Sequence, residues 1–593
     1  MFGDGLEGAN LHFHAGAGSG FDGGHRAFAA DEGDVDATGG HQLVAFLKAV
    51  AVGLLFLGFL ALRADEEEVE HGYHQHNHDA GFPTIGDVEE YEFSHFLFFF
   101  VEINVWKTAC RLFYCMDGQY FFACGVKRIN MNDMNAKYRE LRARYPEFEY
   151  VAYHHERTDE GLRLWFDFRM GEVEFHPEAL IEARPFLNLD AEGIDCMVFD
   201  IGMIELISYW KCACPPMVKV LCGSLTDQQI AFWRKLYWNG LGEFFYTNGI
   251  AETQEAFLKV ESGKLKMENL ADADKNFNFQ FSIFNSYLVP IGGGKDSVVT
   301  LELLHRAGKT IRPLIMNPRG ATKECARVAG FPMEEVLVIR RKIDPVLLDL
   351  NANGYLNGHT PFSAMLAFYT RLASALSGIP NVALSNENSA NESTVIGTSV
   401  NHQYSKSLEF EDDFRAYVLP PAAKSINSFN YFSFLRPLSE LQIAMLFSRF
   451  TAYHDVFRSC NVGSKQDIWC GHCAKCLFAY IILSPFIEPA RLNQIFGKSM
   501  LDDLTLEHEF KQLIGEAETK PFECVGTVGE VRQALAMTLD RWYKSGRRPA
   551  LLDKLENLEN LDHLVNLEQL ENLGNLSPEE RQILQTACTE KNN

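Results

Sequence analysis

A glycine-rich hexapeptide in the middle of the chain has the composition of a phosphate-binding loop. Gly292-Gly293-Gly294-Lys295-Asp296-Ser297 follows the apolar segment 281–291 and precedes a stretch with helical apolar spacing. Glycines let the backbone turn tightly and bring its N–H groups close to an anion, and the positive end of the following helix adds attraction. Lys295 supplies a mobile positive charge, and Asp296 or Ser297 can cap the helix. The expected ligand is pyrophosphate at the carboxyl end of a parallel strand.

The residue after the lysine decides between two kinds of phosphate loop. A Walker A loop needs Ser or Thr directly after Gly-Lys, and Lys295 is followed by Asp296, so that motif is excluded. The hexapeptide instead resembles the Ser-Gly-Gly-x-Asp-Ser loop of the PP-loop ATP pyrophosphatases, with Gly292 in place of the first serine. That resemblance implies cleavage of ATP between its α and β phosphates. The alternative is a glycine turn that merely connects a strand to a helix.

Four cysteines with short spacing predict a metal site. The pattern is Cys460-x9-Cys470-x2-Cys473-x2-Cys476, and four thiolates at such spacing close a tetrahedral structural zinc site with no position left for water. An iron–sulfur cluster is the main alternative, and His472 could replace one thiolate. The other ten of the fourteen cysteines are scattered, which indicates a reducing cytoplasm and not a secreted disulfide framework.

Polar residues cluster in two further stretches. Residues 381–386 read as a short buried strand, and Asn386 and Glu387 stand at its carboxyl end, where an open parallel sheet binds ligands. We expect Glu387 and Glu392 to contact magnesium or a ribose; the alternative is a capped, solvated loop. Residues 401–411 combine groups that transfer protons or bind anions, namely His402, Tyr404 and Lys406.

The elements that must position these groups suggest an α/β fold with several domains. The chain has 593 residues, too many for one ordinary domain. Residues 276–485 alternate short apolar runs with helical stretches, as a parallel sheet does. We expect an α+β domain for substrate recognition over 135–270, with a hairpin at 162–175 and a linker at 259–275. A helical segment over 486–545 and a leucine-rich, low-complexity tail over 550–593 complete the prediction.

The first 130 residues differ from the rest. They hold nine of the nineteen histidines but only seven of the 54 basic residues, in glycine-rich and acidic sequence. The apolar run 43–62 is long enough to span a bilayer, but its flanks lack an orienting basic asymmetry. An alternative is a mis-assigned start, the true one being Met131 or Met134. We expect a cytoplasmic protein without membrane contact.

The overall charge bears on the class of ligand. The formal net charge is −25 and the sequence pI is about 5.2, which argues against nucleic-acid binding, since phosphate contacts favour a basic face. A small anionic substrate stays compatible, because one local pocket can be positive on an acidic protein.

Several longer segments together resemble one family. The segments are NGHTPFSA (357–364), SNENSANES (385–393), NHQYSKSLEFE (401–411), YFSFLRPLSELQIA (431–444), the cysteine segment 459–478 and KPFECVGT (520–527). With GGGKDS they resemble the ATP-dependent UDP-N-acetylmuramoyl-L-alanyl-L-glutamate epimerases, the MurL family of bacterial cell-wall synthesis. The resemblance covers residues 135–540 and leaves out the first 130 residues and the leucine-rich tail.

The resemblance implies a reaction and its participants. The glutamate carboxylate of a UDP-N-acetylmuramoyl dipeptide would be adenylated with ATP and Mg²⁺, and the α-proton then removed and returned from the other face. Zn²⁺ would occupy the four cysteines, and an L-glutamate-adding muramoyl ligase would be a functional partner. Lys295, with Arg436 or Lys406, would neutralise charge. The catalytic candidates are His402, Tyr404, Lys406 and Cys524, and the nucleotide contacts are Gly292, Gly293, Gly294, Lys295, Asp296, Ser297, Asn386 and Glu387.

Two other functions fit the same motifs. One is a different PP-loop ligase or amidotransferase, similar to the cyano-deazaguanine synthases, which carry a comparable cysteine knot after the same loop. The other is a zinc-ribbon interaction module without catalysis. Binding of ATP separates the second from both enzymes, and the fate of the activated carboxylate separates the enzymes from one another.

Overall fold

The computed structural model describes residues 131–593 apart from several short gaps: 185–186, 191–192, 264–284, 392, 395–400, 402, 420–428, 518, 544–545, 547, 555–563 and 591–593. The predicted extension 1–130, with its apolar run 43–62, lies outside the described residues. Within the described part, none of the helices combines the length and apolar character that crossing a bilayer would require.

The first described elements form an antiparallel sheet. Helix α1 (Met131–Arg144) is followed by β1 (Glu147–Thr158), β2 (Gly161–Met170), β3 (Val173–Phe175) and β4 (Glu178–Glu182). Strands β2 and β3 pair antiparallel around Gly171, whose φ of 61° is readily adopted by glycine. The hairpin predicted at 162–175 is therefore confirmed.

A buried helix and two further strands complete the amino-terminal part. The elements are α2 (Ile194–Trp210), β5 (Met217–Val220), α3 (Asp227–Gly240), α4 (Gly242–Thr247) and β6 (Lys259–Ser262). The linker prediction for 259–275 is wrong at its start, because β6 pairs in parallel with β5. As an edge strand it carries polar, partly exposed side chains and lacks the apolar alternation of a half-buried strand.

The central part alternates strands and helices as predicted. Its elements are β7 (Ser286–Pro290), α5 (Lys295–Arg306), β8 (Thr310–Met316), α6 (Gly320–Val328), β9 (Leu337–Lys342), α7 (Pro345–Ala352), α8 (Phe362–Ser377), β10 (Asn381–Leu384), α9 (Leu408–Val418) and β11 (Asn430–Ser433). Helices then dominate: α10 (Glu440–Ser448), α11 (Ala474–Leu483), α12 (Pro489–Phe496), α13 (Glu507–Leu513), α14 (Val528–Tyr543) and α15 (Pro578–Thr589).

One sheet of eleven strands runs through the described residues. Its order is β11-β10-β7-β8-β9-β4-β2-β1-β5-β6, with β3 beside β2. Strands β11 to β9 are parallel, and β9 joins the amino-terminal strands through an antiparallel pairing with β4. The mixed α/β class is confirmed, and the sheet is continuous across the residues between the predicted domains.

Each face of the parallel sheet carries its own apolar core. On β7, Leu288 packs into the cluster with α2 and α8, whereas Tyr287 and Val289 pack into the cluster with α5, α10 and α11. Side chains alternate between the two faces of a strand, so a strand buried on both sides reads as a continuous apolar run. Because helices cover both faces, ligands can reach the sheet at the carboxyl ends of its parallel strands.

Candidate functional site

The glycine-rich loop lies where the sequence predicts it, between β7 and α5. Gly293 has a φ of 83°, and a Cβ there would lie 3.1 Å from the backbone of Ala321 and Thr322. This position therefore requires glycine for both conformation and space. At Gly292, by contrast, an added Cβ would meet no atom within 4 Å, so the loop borders open space. The loop fits an anion on that open side, beside the amino terminus of α5.

Lys295 does not extend freely into this space. Its ammonium group hydrogen-bonds the carboxylates of Asp296 and Glu440, and the Lys295 and Glu440 side chains are only 6% and 2% exposed. Burial acts to lower the pKa of Lys295, but the two carboxylates raise it above its ordinary value. The lysine is therefore charged, and two carboxyl groups of the protein accept hydrogen bonds from it.

The two carboxylates at Lys295 differ in charge. Burial raises the pKa of Glu440 to about 8 against the opposing effect of Lys295. Burial also acts to raise the pKa of Asp296, but the charges of Lys295 and Lys475 outweigh it and the pKa falls below its ordinary value. Asp296 is the ionised partner of Lys295, whereas Glu440 takes up a proton near pH 8.

A further carboxylate stands behind Glu440. The Glu440 backbone N–H donates to Glu530 Oε1 at 2.7 Å, and Glu530 also accepts from the Thr527 backbone N–H at 2.7 Å. Burial raises the pKa of Glu530. This residue joins the start of α10 to the start of α14 and so fixes Glu440 beside the glycine-rich loop.

The loop after β10 reaches the same region. Asn386 and Glu387 are buried, and Asn386 Nδ2 donates to Ser433 Oγ at 3.0 Å. Arg436 Nη1 donates to the backbone oxygen of Glu387 at 2.8 Å. Arg436 thus supports the loop from behind, whereas the sequence suggested that it neutralises substrate charge. Glu392 lies outside the described residues.

Lys406 and Cys524 meet although 118 positions separate them in the sequence. Cys524 is close enough to the Lys406 ammonium group to raise its pKa, and Lys406 Nζ donates to Gln403 Oε1 at 3.4 Å. Burial acts to lower the pKa of Lys406, but Cys524, Glu387 and Asp296 raise it above its ordinary value. Lys406 therefore stays protonated, and the same set of interactions joins the glycine-rich loop, the β10 loop and Cys524 into one site.

The other two catalytic candidates are placed differently. The Tyr404 hydroxyl points to Asp413 Oδ2 at 3.5 Å, and Asp413 is itself paired with Lys235 at 2.6 Å. Burial raises the pKa of Tyr404. His402 is outside the described residues. The structure thus brings Lys406 and Cys524 to the loop and directs Tyr404 toward α3 and α9.

The four cysteines converge as the spacing predicts. Their sulfur atoms lie within 4.8 Å of one another, with separations of 3.9 Å for Cys460–Cys473, 3.7 Å for Cys470–Cys476 and 3.5 Å for Cys473–Cys476. Tetrahedral zinc with Zn–S bonds of ~2.3 Å places its ligand sulfurs about 3.8 Å apart, so the cluster fits one such ion. His472 is turned outward, with Nδ1 on the Cys470 carbonyl oxygen at 2.8 Å.

The cysteine segment is attached directly to the glycine-rich loop. The Arg458 backbone N–H donates to the Gly293 oxygen at 2.7 Å, two residues before Cys460. Asp467, which lies between Cys460 and Cys470, accepts the first N–H groups of α6, from Gly320 at 2.6 Å and Ala321 at 3.1 Å. A metal at the cysteines would therefore order the same backbone that shapes the loop.

Sequence reasoning missed Glu440, Glu530 and Asp467. Glu440 had a signal, since Ser439 and Gln442 form a capping box that places it in the first turn of a helix otherwise rich in apolar residues. The sequence carries no such signal for Glu530 or Asp467, because a carboxylate that caps the start of a helix is usually solvated. Their roles depend on contacts with backbone groups 90 and 147 positions away.

The sequence is similar to families and proteins of known description. Residues 139–434 match the MurL N-terminal domain and residues 456–563 match the MurL C-terminal domain. A Salinispora tropica protein named UDP-N-acetyl-alpha-D-muramoyl-L-alanyl-L-glutamate epimerase is 36% identical over 361 residues, covering 60% of this chain and 76% of that protein.

Two further relatives carry the same name. The protein of Xanthomonas oryzae pv. oryzae is 37% identical over 349 residues, covering 58% of this chain and 74% of its own length. The Micromonospora protein is 36% identical over 364 residues, covering 60% of this chain and 77% of its own length. The glycine-rich loop lies within the match to the MurL N-terminal domain, and the cysteine cluster lies within the match to the MurL C-terminal domain.

Proposed function

Because the chain belongs to the MurL family, we propose that it converts the terminal L-glutamate of UDP-N-acetylmuramoyl-L-alanyl-L-glutamate to D-glutamate, in peptidoglycan precursor synthesis and at the expense of ATP. One observation carries this proposal. Asp296 of the glycine-rich loop, Glu387 of the β10 loop and Cys524 all act on the ammonium group of Lys406. These interactions support a proposal in which the glycine-rich loop holds phosphate beside two side chains that can transfer protons.

The chemistry explains why an epimerase of this kind would need ATP. Removing the α-proton beside a free carboxylate would create two adjacent negative charges. Attack of the carboxylate oxygen on the α-phosphorus of ATP forms an acyl adenylate and releases pyrophosphate, and the α-proton becomes far more acidic. Removal and return of that proton invert the centre, and water then releases AMP and the D-glutamyl product.

The glycine-rich loop is the proposed pyrophosphate site, in a fold of the PP-loop type. Gly293 permits the close backbone approach, and Gly292 faces open space. Lys295 can turn from Glu440 to phosphate oxygens. Mg²⁺ would neutralise phosphate charge, and Asp296 and Glu387 offer the carboxylate oxygens that this ion prefers.

Lys406 and Cys524 are the proposed proton carriers. Proton return to the opposite face needs two groups, and these two act on one another electrostatically, since Cys524 contributes to the raised pKa of Lys406. A charged lysine also favours the thiolate form of a neighbouring cysteine, which is the form that accepts a proton. Tyr404 is directed toward Asp413 and is the weaker fit to this role, and His402 stays a candidate from the sequence.

The cysteine cluster is the proposed zinc site. All four protein ligands are present, so the ion would be structural and would order the segment that holds Gly293. Free thiols of this kind persist in a reducing compartment, which supports a cytoplasmic location. We also propose functional coupling to a muramoyl ligase that adds L-glutamate, because the substrate must come from such a reaction.

The direct test is to incubate the protein with UDP-N-acetylmuramoyl-L-alanyl-L-glutamate and Mg-ATP, hydrolyse the product and resolve the glutamate enantiomers. We expect D-glutamate, AMP and pyrophosphate together, and none of them with Asp296→Ala. AMP without D-glutamate would instead support another adenylating ligase or amidotransferase. Absence of both products would support the zinc-ribbon interaction module.

A further inference from the structure

The carboxyl-terminal segment 564–590 lies beyond the residues that match the family domains, and its composition suggested only a low-complexity tail. In the structure it packs against the site-bearing part of the chain. Leu576, Leu584 and Cys588 are buried, and Gln442 Nε2 donates to the Gln569 carbonyl oxygen at 2.9 Å. Residues 571–575 of this segment form a turn, and the segment is anchored both before and after that turn.

Residues 571–575, here called the tail turn, pack against Arg436 in the turn between β11 and α10. Gly574 has a φ of 53°, and a Cβ there would lie 2.9 Å from Arg436 Cγ. The Glu571 backbone N–H donates to the Pro437 oxygen at 3.0 Å. Glycine at 574 is thus required for both conformation and close contact.

Asn575 links the tail turn to a buried ion pair. Its Nδ2 group donates to Glu411 Oε1 at 2.8 Å and to Asp412 Oδ1 at 2.8 Å. The other oxygen of Glu411 accepts from Arg436 Nη2 at 3.4 Å, and both side chains are almost fully buried, at 2% and 0% exposure. The Asn575 amide therefore donates to Glu411 Oε1, which is the carboxylate oxygen that does not pair with Arg436.

Arg436 passes this positioning to the site. Its Nη1 donates to the Glu387 oxygen at 2.8 Å and its Nη2 to the Lys406 oxygen at 2.5 Å. A planar guanidinium group with fixed donors holds two acceptors in a set geometry. A second contact acts on the same loop, since Asn388 Nδ2 donates to Glu571 Oε2 at 3.3 Å.

We propose that the tail turn is a positioning element of the active site, acting through Asn575, Glu411 and Arg436 on the backbones that carry Glu387 and Lys406. The catalytic consequence rests on the proposed epimerase function, whereas the structural consequence does not. The tail turn is connected to these backbones through Asn575, Glu411 and Arg436, so its proposed effect is on their geometry. A misplacement of about 1 Å at reacting groups can lower a rate on the order of a hundredfold.

The test replaces Asn575 and compares it with a matched asparagine of the same segment. Asn575→Asp puts a third carboxylate beside Glu411 and Asp412, and Asn575→Ala removes the hydrogen bonds without adding charge. Asn566→Ala is the control, because within the described part of the chain its side chain accepts a hydrogen bond from the nearby Glu568 backbone N–H. All variants are made in the full chain, and thermal melting verifies that each is folded.

Three measurements are combined: kcat and KM of epimerisation, hydrogen exchange of residues 386–389 and 403–407, and alkylation of Cys524 followed by peptide mapping. For Asn575→Asp we expect kcat to fall by about 10- to 100-fold, with a smaller fall for Asn575→Ala. Exchange in both segments should rise and the Cys524 alkylation rate should change, with the melting temperature held within about 2 °C. Asn566→Ala should match the wild type.

Unchanged exchange and alkylation in both Asn575 variants would overturn the proposal, and so would a loss that accompanies global unfolding. If the wild type makes no D-glutamate, the epimerase function fails separately. The exchange and alkylation measurements then still decide whether the tail turn positions the two segments. A raised exchange confined to residues 386–389 and 403–407 would support it in that case also.

Discussion

Glu440 offers a sharp test of how the glycine-rich loop is controlled. Its carboxyl group accepts a hydrogen bond from the Lys295 ammonium group, and burial raises the pKa of Glu440 to about 8. Below that pH it is protonated, and above it the group carries a negative charge that opposes an anion on the loop. We predict that Glu440→Gln leaves pyrophosphate affinity nearly unchanged at pH 6.5 and strengthens it at pH 9.5.

The size of the effect follows from the arrangement at Lys295. A phosphate on the far side of the ammonium group is separated from Glu440 by two hydrogen bonds, or roughly 6 Å. At an effective dielectric constant of about 20, a unit charge at that distance contributes roughly 2–3 kcal/mol. This corresponds to about 30- to 150-fold in a dissociation constant. Other charged groups act on Glu440, and they are Lys295, Asp296, Glu387, Lys475 and, through the Glu440 backbone, Glu530.

Isothermal titration with pyrophosphate, without added metal, measures the dissociation constant of both proteins from pH 6.5 to 9.5. Pyrophosphate itself titrates in this range, and so the ratio of the two constants is the informative quantity. Glu507→Gln is the control, because it removes one charge from the exposed end of α13, in an ion pair with Lys511. Its ratio to the wild type should stay flat with pH.

Two results would refute the reasoning about Glu440. One is a flat ratio for Glu440→Gln across the whole pH range, which would mean that the carboxylate does not compete for Lys295. The other is weaker binding at high pH, which would mean that Glu440 holds Lys295 in the binding orientation. Either result would leave the glycine-rich loop as the candidate pyrophosphate site, but it would rule out control of anion binding there by Glu440.

Three further predictions concern other parts of the molecule. Chelation of the metal at the four cysteines should weaken pyrophosphate binding by about tenfold or more, because the Arg458 backbone then no longer fixes Gly293; unchanged binding by metal-depleted protein would contradict this. Lys406→Met should lower epimerisation about 10²- to 10⁴-fold while pyrophosphate still binds, as product analysis and titration would show; full activity would exclude this lysine. Glu205→Gln should destabilise the fold by about 3–5 kcal/mol in urea titrations. The buried Arg341 donates two hydrogen bonds of 2.6 Å to the Glu205 carboxylate, and the substitution removes the negative charge of that partner. A loss below about 1 kcal/mol would contradict this prediction.

Features written in short stretches of sequence were predictable. The glycine-rich loop could be recognised because a strand, three glycines and a helix follow one another, and Gly293 does adopt the positive φ that such a turn needs. The cysteine cluster could be recognised because metal geometry restricts ligand spacing. Lys406 and Cys524 were separate candidates, and their proximity was not predicted, since no local pattern joins two residues so distant in the chain.

Features that depend on long-range contacts were not predictable. Arg436 was a candidate for neutralising charge at the site, but its guanidinium group donates to two backbone carbonyls and pairs with Glu411. The leucines of the tail repeat at a period of three, which matches no helix, and the segment is instead held by a turn and single hydrogen bonds. Similarly, β6 is a polar edge strand that lacks the apolar alternation of a half-buried strand. It is defined by its pairing with β5, which its own sequence does not reveal.

We propose that the loop at Gly293 takes part in activating the substrate, with cleavage of ATP between its α and β phosphates. The most direct measurement is exchange of the glutamate α-proton in D₂O, followed by NMR with UDP-N-acetylmuramoyl-L-alanyl-L-glutamate and different nucleotides. We predict exchange with ATP and with an analogue blocked between the β and γ phosphates, and none with an analogue blocked between α and β or with Asp296→Ala. Exchange without nucleotide, or exchange that the α,β-blocked analogue supports, would contradict the account.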